Sequence, residues 1–208
     1  MNIETISRFE EEKPAFLYIP DLSGFTEFIN ITNLHESKNF IHDLLEVILD
    51  SNILNLKVAE ILGDAVVFYS VGAPPNITKL ESQAKKTFLD FQNALKKLEK
   101  GNVLSKELHN LGLKIIVHYG EVATTEIKGI SKLIGSDLVL AYRMLKNNVI
   151  DKEYLLMTNQ YLETQKEELL KKSFLWSEIR EGNTYYDHFG TIPYKYIPLS
   201  PLKELIRV

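Results

Sequence analysis

The chain contains no cysteine. That excludes disulfides, thiolate metal sites and cysteine nucleophiles, so any catalysis must run on oxygen, nitrogen or metal chemistry. An excess of basic charge is also missing: 24 Lys and Arg stand interspersed with 28 Asp and Glu, for a net charge of -4. The phosphate-tracking footprint of a nucleic-acid binder is therefore absent, and no nucleic-acid partner is expected. No apolar run has the length of a membrane span, and the opening "MNIETISRFEEEKP" has neither the basic nor the apolar region of a secretory signal. These features predict no membrane association and a cytoplasmic location. Internal repeats, low-complexity tracts and linker-like stretches are missing too, so one domain over 1–208 is expected. The histidines, His35, His42, His109, His118 and His188, are scattered, which argues against the clustered ligands of a metal phosphodiesterase or phosphatase. His42 reads as a helix-face residue and His118 as a strand residue satisfied by a neighbour.

What the chain does have is the composition of a globular domain, with 45% hydrophobic and 25% charged residues over 208 positions. "AFLYIP" reads as a buried strand of about six residues closed by Pro20, with Asp21 at its carboxyl end. Apolar residues at helical spacing predict a helix from Leu34 to Ser51, through Phe40, Ile41, Leu44, Leu45 and Ile48. "LNLKVAEI", a turn at "LGD" and "AVVFYSVG" predict a hairpin with Asp64 at its bend. A second helix carries Leu80, Ala84, Phe88, Phe91, Leu95 and Leu98 and stops at "KGN". "LGLKIIVHYGEVATTEI" is a strand broken at Gly120 and continued after it. A third helix spans about Gly135 to Asn147, with Val139 and Arg143, four apart, on one face. A strand, a charged helix and an aromatic-rich hairpin complete the chain. The order is β-α-β-β-α-β, a ferredoxin-like α+β core over about 15–150, an antiparallel sheet with helices on one face, plus C-terminal additions over 151–208.

In such a core the first strand and the hairpin are neighbours, so Asp21 and Asp64 can meet although 43 residues separate them. Two hard oxygen ligands beside a Gly-containing turn with free amides suit Mg²⁺ with a triphosphate. Asp in "PD" and "GD" is also common turn chemistry, and taken singly each carboxylate reads as structural.

Four stretches then resemble the class III nucleotidyl cyclases, adenylate and guanylate cyclases among them. "DLSGFT" at Asp21 to Thr26 resembles the family's Asp-Ile-x-Gly-Phe-Thr, "EILGDAVVF" its Gly-Asp hairpin, and "HYGEV" at His118 to Val122 its His-Thr-Gly-Glu-Val. Gly135 followed eight residues later by Arg143 is similar to its Gly and Arg. The resemblance covers about Phe16 to Leu145, in order. The chain is also similar to a bacterial group of unknown function, cyclase-like in the core with altered third-helix residues.

The resemblance implies roles position by position. Asp21 and Asp64 match the two metal ligands, for Mg²⁺ or Mn²⁺, and Leu22, Ser23, Gly24, Phe25 and Thr26 match the loop whose amides hold a nucleoside triphosphate. Glu60 falls on the base-selecting position, where a carboxylate can accept from guanine N1–H and the exocyclic amine. Arg143 matches the arginine that stabilises charge developing on phosphorus. A head-to-tail homodimer is implied, with Val139 and Arg143 facing across it. The chain departs from the family in three places. Val139 stands where an Asn orients the ribose, a loss of about 2 to 4 kcal/mol of transition-state stabilisation. Lys132 stands at the second base-contacting position, where an ion pair with Glu60 is expected. The family's phosphate-binding Lys is without a match in register, His188 and Lys195 being the nearest. Two functions stay open: a nucleotidyl cyclase, or a cyclase-like module that binds nucleotide or metal, or dimerises, without turnover.

Overall fold

The first strand, β1 (Lys13–Ser23), is buried on both faces, which is why its sequence is a continuous apolar run and not an alternating one. Its residues divide by parity. Phe16, Tyr18 and Leu22 face one side of the sheet, and Ala15, Leu17 and Ile19 face the other. In this computed structural model, which describes residues 11–100 and 105–206, β1 is an interior strand of an eight-stranded sheet, paired on both sides. The strand continues through Pro20 where closure was expected. It pairs with β4 (Gly112–Ile127) along its whole length, and only the ladder to β3 (Ala65–Val71) lapses at residues 19 and 20 before resuming at Asp21. A proline lacks one donor and so interrupts one ladder without ending the strand.

After β1 come α1 (Phe25–Ile31) and α2 (Leu34–Asp50), then the hairpin of β2 (Lys57–Leu62) and β3 (Ala65–Val71). Asn76 caps α3 (Ile77–Glu99), its side chain accepting from Lys79 N–H at 3.0 Å. Leu80, Ala84, Phe88, Phe91 and Leu95 of α3 are buried as their spacing predicts; the Gly101 and Asn102 stop signal lies outside the described residues. Next are α4 (Ser105–His109), β4 (Gly112–Ile127), β5 (Ile130–Ile134) and α5 (Ser136–Arg143). The chain closes with β6 (Tyr154–Thr158), α6 (Asn159–Leu162), α7 (Glu167–Leu170), β7 (Arg180–Tyr186), β8 (Gly190–Pro198) and a 3₁₀ turn, Ser200–Leu205.

Strand order is β2-β3-β1-β4-β6-β8-β7, with β5 pairing to the outer part of β4. The first four are the antiparallel ferredoxin-like set, and β4 with β6 is a parallel pair. The long helices α2 and α3 cover the Phe16 face as expected, while α5 packs on the Leu17 face through Leu138, Leu140 and Ala141. Beneath α3 a buried polar network fixes the loop after α2: Tyr18 and Ser51 hydroxyls donate to Thr87 Oγ1, and Gln83 bonds Ser51 O and the amides of Ile53 and Leu54.

Two expected boundaries move. β4 runs unbroken through Gly120, which pairs with Ala15. α5 ends at Arg143, because Leu145 and Lys146 make i→i+3 bonds to Tyr142 and Arg143, and Asn147 Nδ2 donates to Met144 O at 2.7 Å. No helix among the described residues is long and apolar enough to cross a membrane.

Candidate functional site

Asp21 lies in β1 directly between Ala65 of β3 and Lys114 of β4. Asp64 forms the β2–β3 turn with Gly63, and its carbonyl accepts from Leu22 N–H at 3.1 Å, which fastens the hairpin to the end of β1. The two carboxyl groups are thereby brought to the same end of the sheet, close enough that each shifts the other's titration. Asp21 is only 6% exposed. Burial pushes its pKa up to about 6, against the pull of Lys114 and with a further push from Asp64. Burial also raises Asp64.

Lys114 was not anticipated. Its Nζ lies 2.9 Å from Asp21 Oδ2 and donates to Leu145 O at 2.8 Å, so one ammonium joins β1, β4 and the chain after α5. The signal was present as the lone cation in the apolar run "GLKIIV". A charge inside a buried strand needs a partner, and antiparallel pairing brings that partner from the strand alongside.

The turn Leu22 to Thr26 follows Asp21. Leu22 is buried, Ser23 Oγ donates to Lys152 O at 2.7 Å, and Lys152 Nζ donates to Asn110 O at 2.8 Å. Gly24 has φ +84° and a Cβ on it would sit 2.7 Å from Asn110 O, so only glycine fits this close left-handed position. The first bond of α1 runs from Phe28 N to Gly24 O, which leaves the amides of Phe25, Thr26 and Glu27 without intrahelical acceptors.

Glu60, on β2 beside a register shift, accepts a short hydrogen bond from the Tyr142 hydroxyl of α5. Burial, with the bond to Glu60 and its charge, raises the Tyr142 pKa. The expected Glu60–Lys132 ion pair does not form: Lys132 is exposed on β5 opposite Thr125, and Tyr142 takes the Glu60 oxygen instead. Arg143 is exposed and has no ion-pair partner among the described residues, and Val139, one turn earlier, is 45% exposed. Lys195 pairs with Glu181 at 2.7 Å and His188 sits in the β7–β8 turn; neither is joined to the Asp21 cluster.

His118, fully buried, fastens α5 to the sheet. Its Nδ1 lies 3.0 Å from Thr158 Oγ1 and its Nε2 3.1 Å from Asp137 Oδ1, while Asp137 Oδ2 accepts from Glu121 N–H at 2.7 Å. The His118 hydrogen bond, followed by the Glu121 amide, holds the Asp137 pKa below the usual carboxylate range. Gly120 is required here because a Cβ would lie 2.2 Å from Asp137 Cγ.

Residues 41–154 match a family model described as "Protein of unknown function (DUF2652)". An uncharacterized protein of Mycobacterium tuberculosis, Rv2561/Rv2562, is 34% identical over 119 residues, and the match spans 56% of each chain, so about half the length of that relative. Among solved structures, the guanylyl cyclase Cya2 superposes with a TM-score of 0.64 at 16% identity, over 91% of this chain and 93% of that one. A bacterial light-regulated adenylyl cyclase gives 0.64 at 16% identity, over 100% and 60%. The guanylate cyclase domain of RhGC from Catenaria anguillulae, in complex with GTP, gives 0.59 at 14% identity, over 90% and 98%. The fold is that of the class III cyclase domains.

Proposed function

Because the chain belongs to the DUF2652 family of unknown function and has the cyclase fold, we propose that it binds a nucleoside triphosphate with Mg²⁺ or Mn²⁺ and cyclises it as a head-to-tail homodimer. The observation that carries this reading is the placement of Asp21 and Asp64 at one strand end beside the 22–26 turn, where Leu22 N–H donates to Asp64 O. Two hard oxygen donors at one strand end fit a divalent cation of this kind, and Asp21 and Asp64 would hold it. When bound, such ions lower the pKa of the ribose 3′-hydroxyl and neutralise the pyrophosphate leaving group.

The chain's own groups do the rest. First-turn amides from Phe25 onward meet the triphosphate, whereas the Ser23 hydroxyl, already donating to Lys152 O, contributes only its main chain. Lys114 adds a cation next to the same place. Arg143 of the partner subunit stabilises the charge on the α-phosphorus as the ribose O3′ bonds to it. The α-phosphorus then parts from the oxygen bridging to the β-phosphate, pyrophosphate leaves, and the 3′ proton passes to solvent. Glu60 and Lys132 flank the base, with Glu60 Oε2, the oxygen Tyr142 does not bond, accepting from a base N–H. A cytoplasmic location, where nucleoside triphosphates are abundant, goes with this reading.

Exposed Val139 favours a second reading, binding without turnover, since it supplies no hydrogen bond to the ribose. The discriminating experiment is incubation with Mn²⁺ and each of ATP, GTP, CTP and UTP. Cyclic product and pyrophosphate from at least one, lost in Asp21→Ala and Asp64→Ala, are expected. Mn²⁺-dependent nucleotide binding without product supports the second reading. Neither product nor such binding overturns both.

A further inference from the structure

We infer that Lys114 is a tethered counter-ion that occupies one of the cation positions on the Asp21–Asp64 pair, so that without nucleotide the protein holds at most one divalent ion there, and weakly. This rests on the metal reading above and deepens it. Three observations support it.

The Lys114 ammonium lies 2.9 Å from Asp21 Oδ2 in a pair whose side chains are only 20% and 9% exposed. It is not a loose surface cation resting on an acid, because Leu145 O accepts a second hydrogen bond from it at 2.8 Å. The ammonium is thus fixed between a carboxylate and a carbonyl. The third observation is charge. With Asp21 and Asp64 ionised and Lys114 protonated, the cluster carries a net charge of about -1. One divalent ion takes it to about +1 and two take it to about +3. In a poorly solvated site, with an effective dielectric near 20, charges about 4 Å apart interact by several kcal/mol, so the second ion finds no compensating charge. The first must also share Asp21 with the ammonium, which withholds Oδ2 and repels the ion.

Lys114→Met keeps the aliphatic stem and removes the charge; Lys114→Arg keeps the charge. The experiment is Mn²⁺ binding to the full chain without nucleotide, read as free Mn²⁺ by electron paramagnetic resonance, with circular dichroism confirming that each variant is folded. At most one weakly bound Mn²⁺ per chain is expected in the wild type and in Lys114→Arg. Lys114→Met should bind Mn²⁺ about tenfold more tightly or better, and adding Asp21→Asn to it should remove that binding. Two ions per wild-type chain, or a folded Lys114→Met that binds no more tightly at a site Asp21→Asn abolishes, would overturn the counter-ion role while leaving the metal site standing. Binding in Lys114→Met that survives Asp21→Asn, or no Mn²⁺ binding in any variant, overturns the metal site and the inference together.

Discussion

Asp21 and Asp64 sit where each flanking group is already held, whereas Val139 and Arg143 sit where almost nothing holds them. Around the aspartates, the Leu22 amide, Ser23, Lys114 and Lys152 all spend hydrogen bonds inside the same chain. On α5 the outward face offers an exposed apolar side chain and a guanidinium with no ion-pair partner among the described residues. The first region is finished by folding. The second has the look of a surface finished by something else, and under the proposed dimer that something is the aspartate end of a second copy.

The sharpest way to break this contrast is to disable the two regions in separate chains. Asp64→Ala and Arg143→Ala should each lower product formation by about 10² to 10³-fold, because each removes preorganised charge from the reacting phosphate. Mixed in equal amounts and allowed to exchange subunits, they should recover about a quarter of wild-type turnover. Half the dimers are then mixed, and each mixed dimer has one intact site of two. Recovery near zero would put both residues in one site of one chain and remove the complementary roles assigned to the two regions.

How much of this was legible beforehand follows the same division. The Asp21–Asp64 pairing could be read because strand–turn chemistry and a β-α-β-β order bring two distant carboxylates to one sheet end. The long helices were legible from period alone, Phe88 and Phe91 of α3 being buried where the spacing puts them. Contacts settled by tertiary packing were not. Lys114 faces Asp21 because of the β1–β4 register, which a single strand does not encode. Glu60 meets Tyr142 instead of Lys132 because α5 lies across the sheet face, and neither residue's neighbours in sequence indicate that. The five residues of β5 are too few for periodicity to register, and Pro20 suggests a stop because it lacks a donor, although only one of its two ladders lapses there.

A second test works on the joint between the regions. Gly120→Ala should lose about 2 to 3 kcal/mol of stability by urea denaturation, since its Cβ would overlap the Asp137 carboxyl and push the start of α5 away from β4. An unchanged midpoint would mean that α5 is not seated against Gly120 as described.

Asp137→Asn is gentler and adds a pH signature. Asp137 has a lower pKa folded than unfolded, so its contribution to stability is fully present above the ordinary carboxyl range. It fades as pH falls through that range toward the lowered value. The gap between wild type and Asp137→Asn should be about 1 to 2 kcal/mol at neutral pH, from the bonds to His118 Nε2 and Glu121 N–H. It should narrow steadily as the solution is acidified. A gap that is constant with pH would assign the loss to packing and not to the ionised carboxylate.

The smallest effect is expected at Tyr142→Phe, and it bears on which half of the contrast governs the base. Removing the hydroxyl leaves Glu60 without its donor, but Glu60 is not fully buried and water can replace the bond, so stability should change by less than about 1 kcal/mol. The consequence should appear in nucleotide preference. With both carboxylate oxygens free, Glu60 can accept from the paired donors of guanine, whereas adenine offers only its exocyclic amine beside the acceptor N1. The ratio of GTP to ATP affinity, measured by competition in the presence of Mn²⁺, should therefore rise by about 2- to 10-fold, the worth of one hydrogen bond. If the ratio stays fixed while both affinities are unchanged, the base does not reach Glu60. The aspartate end would then be the whole of the nucleotide site, with the α5 face left to dimer contact alone.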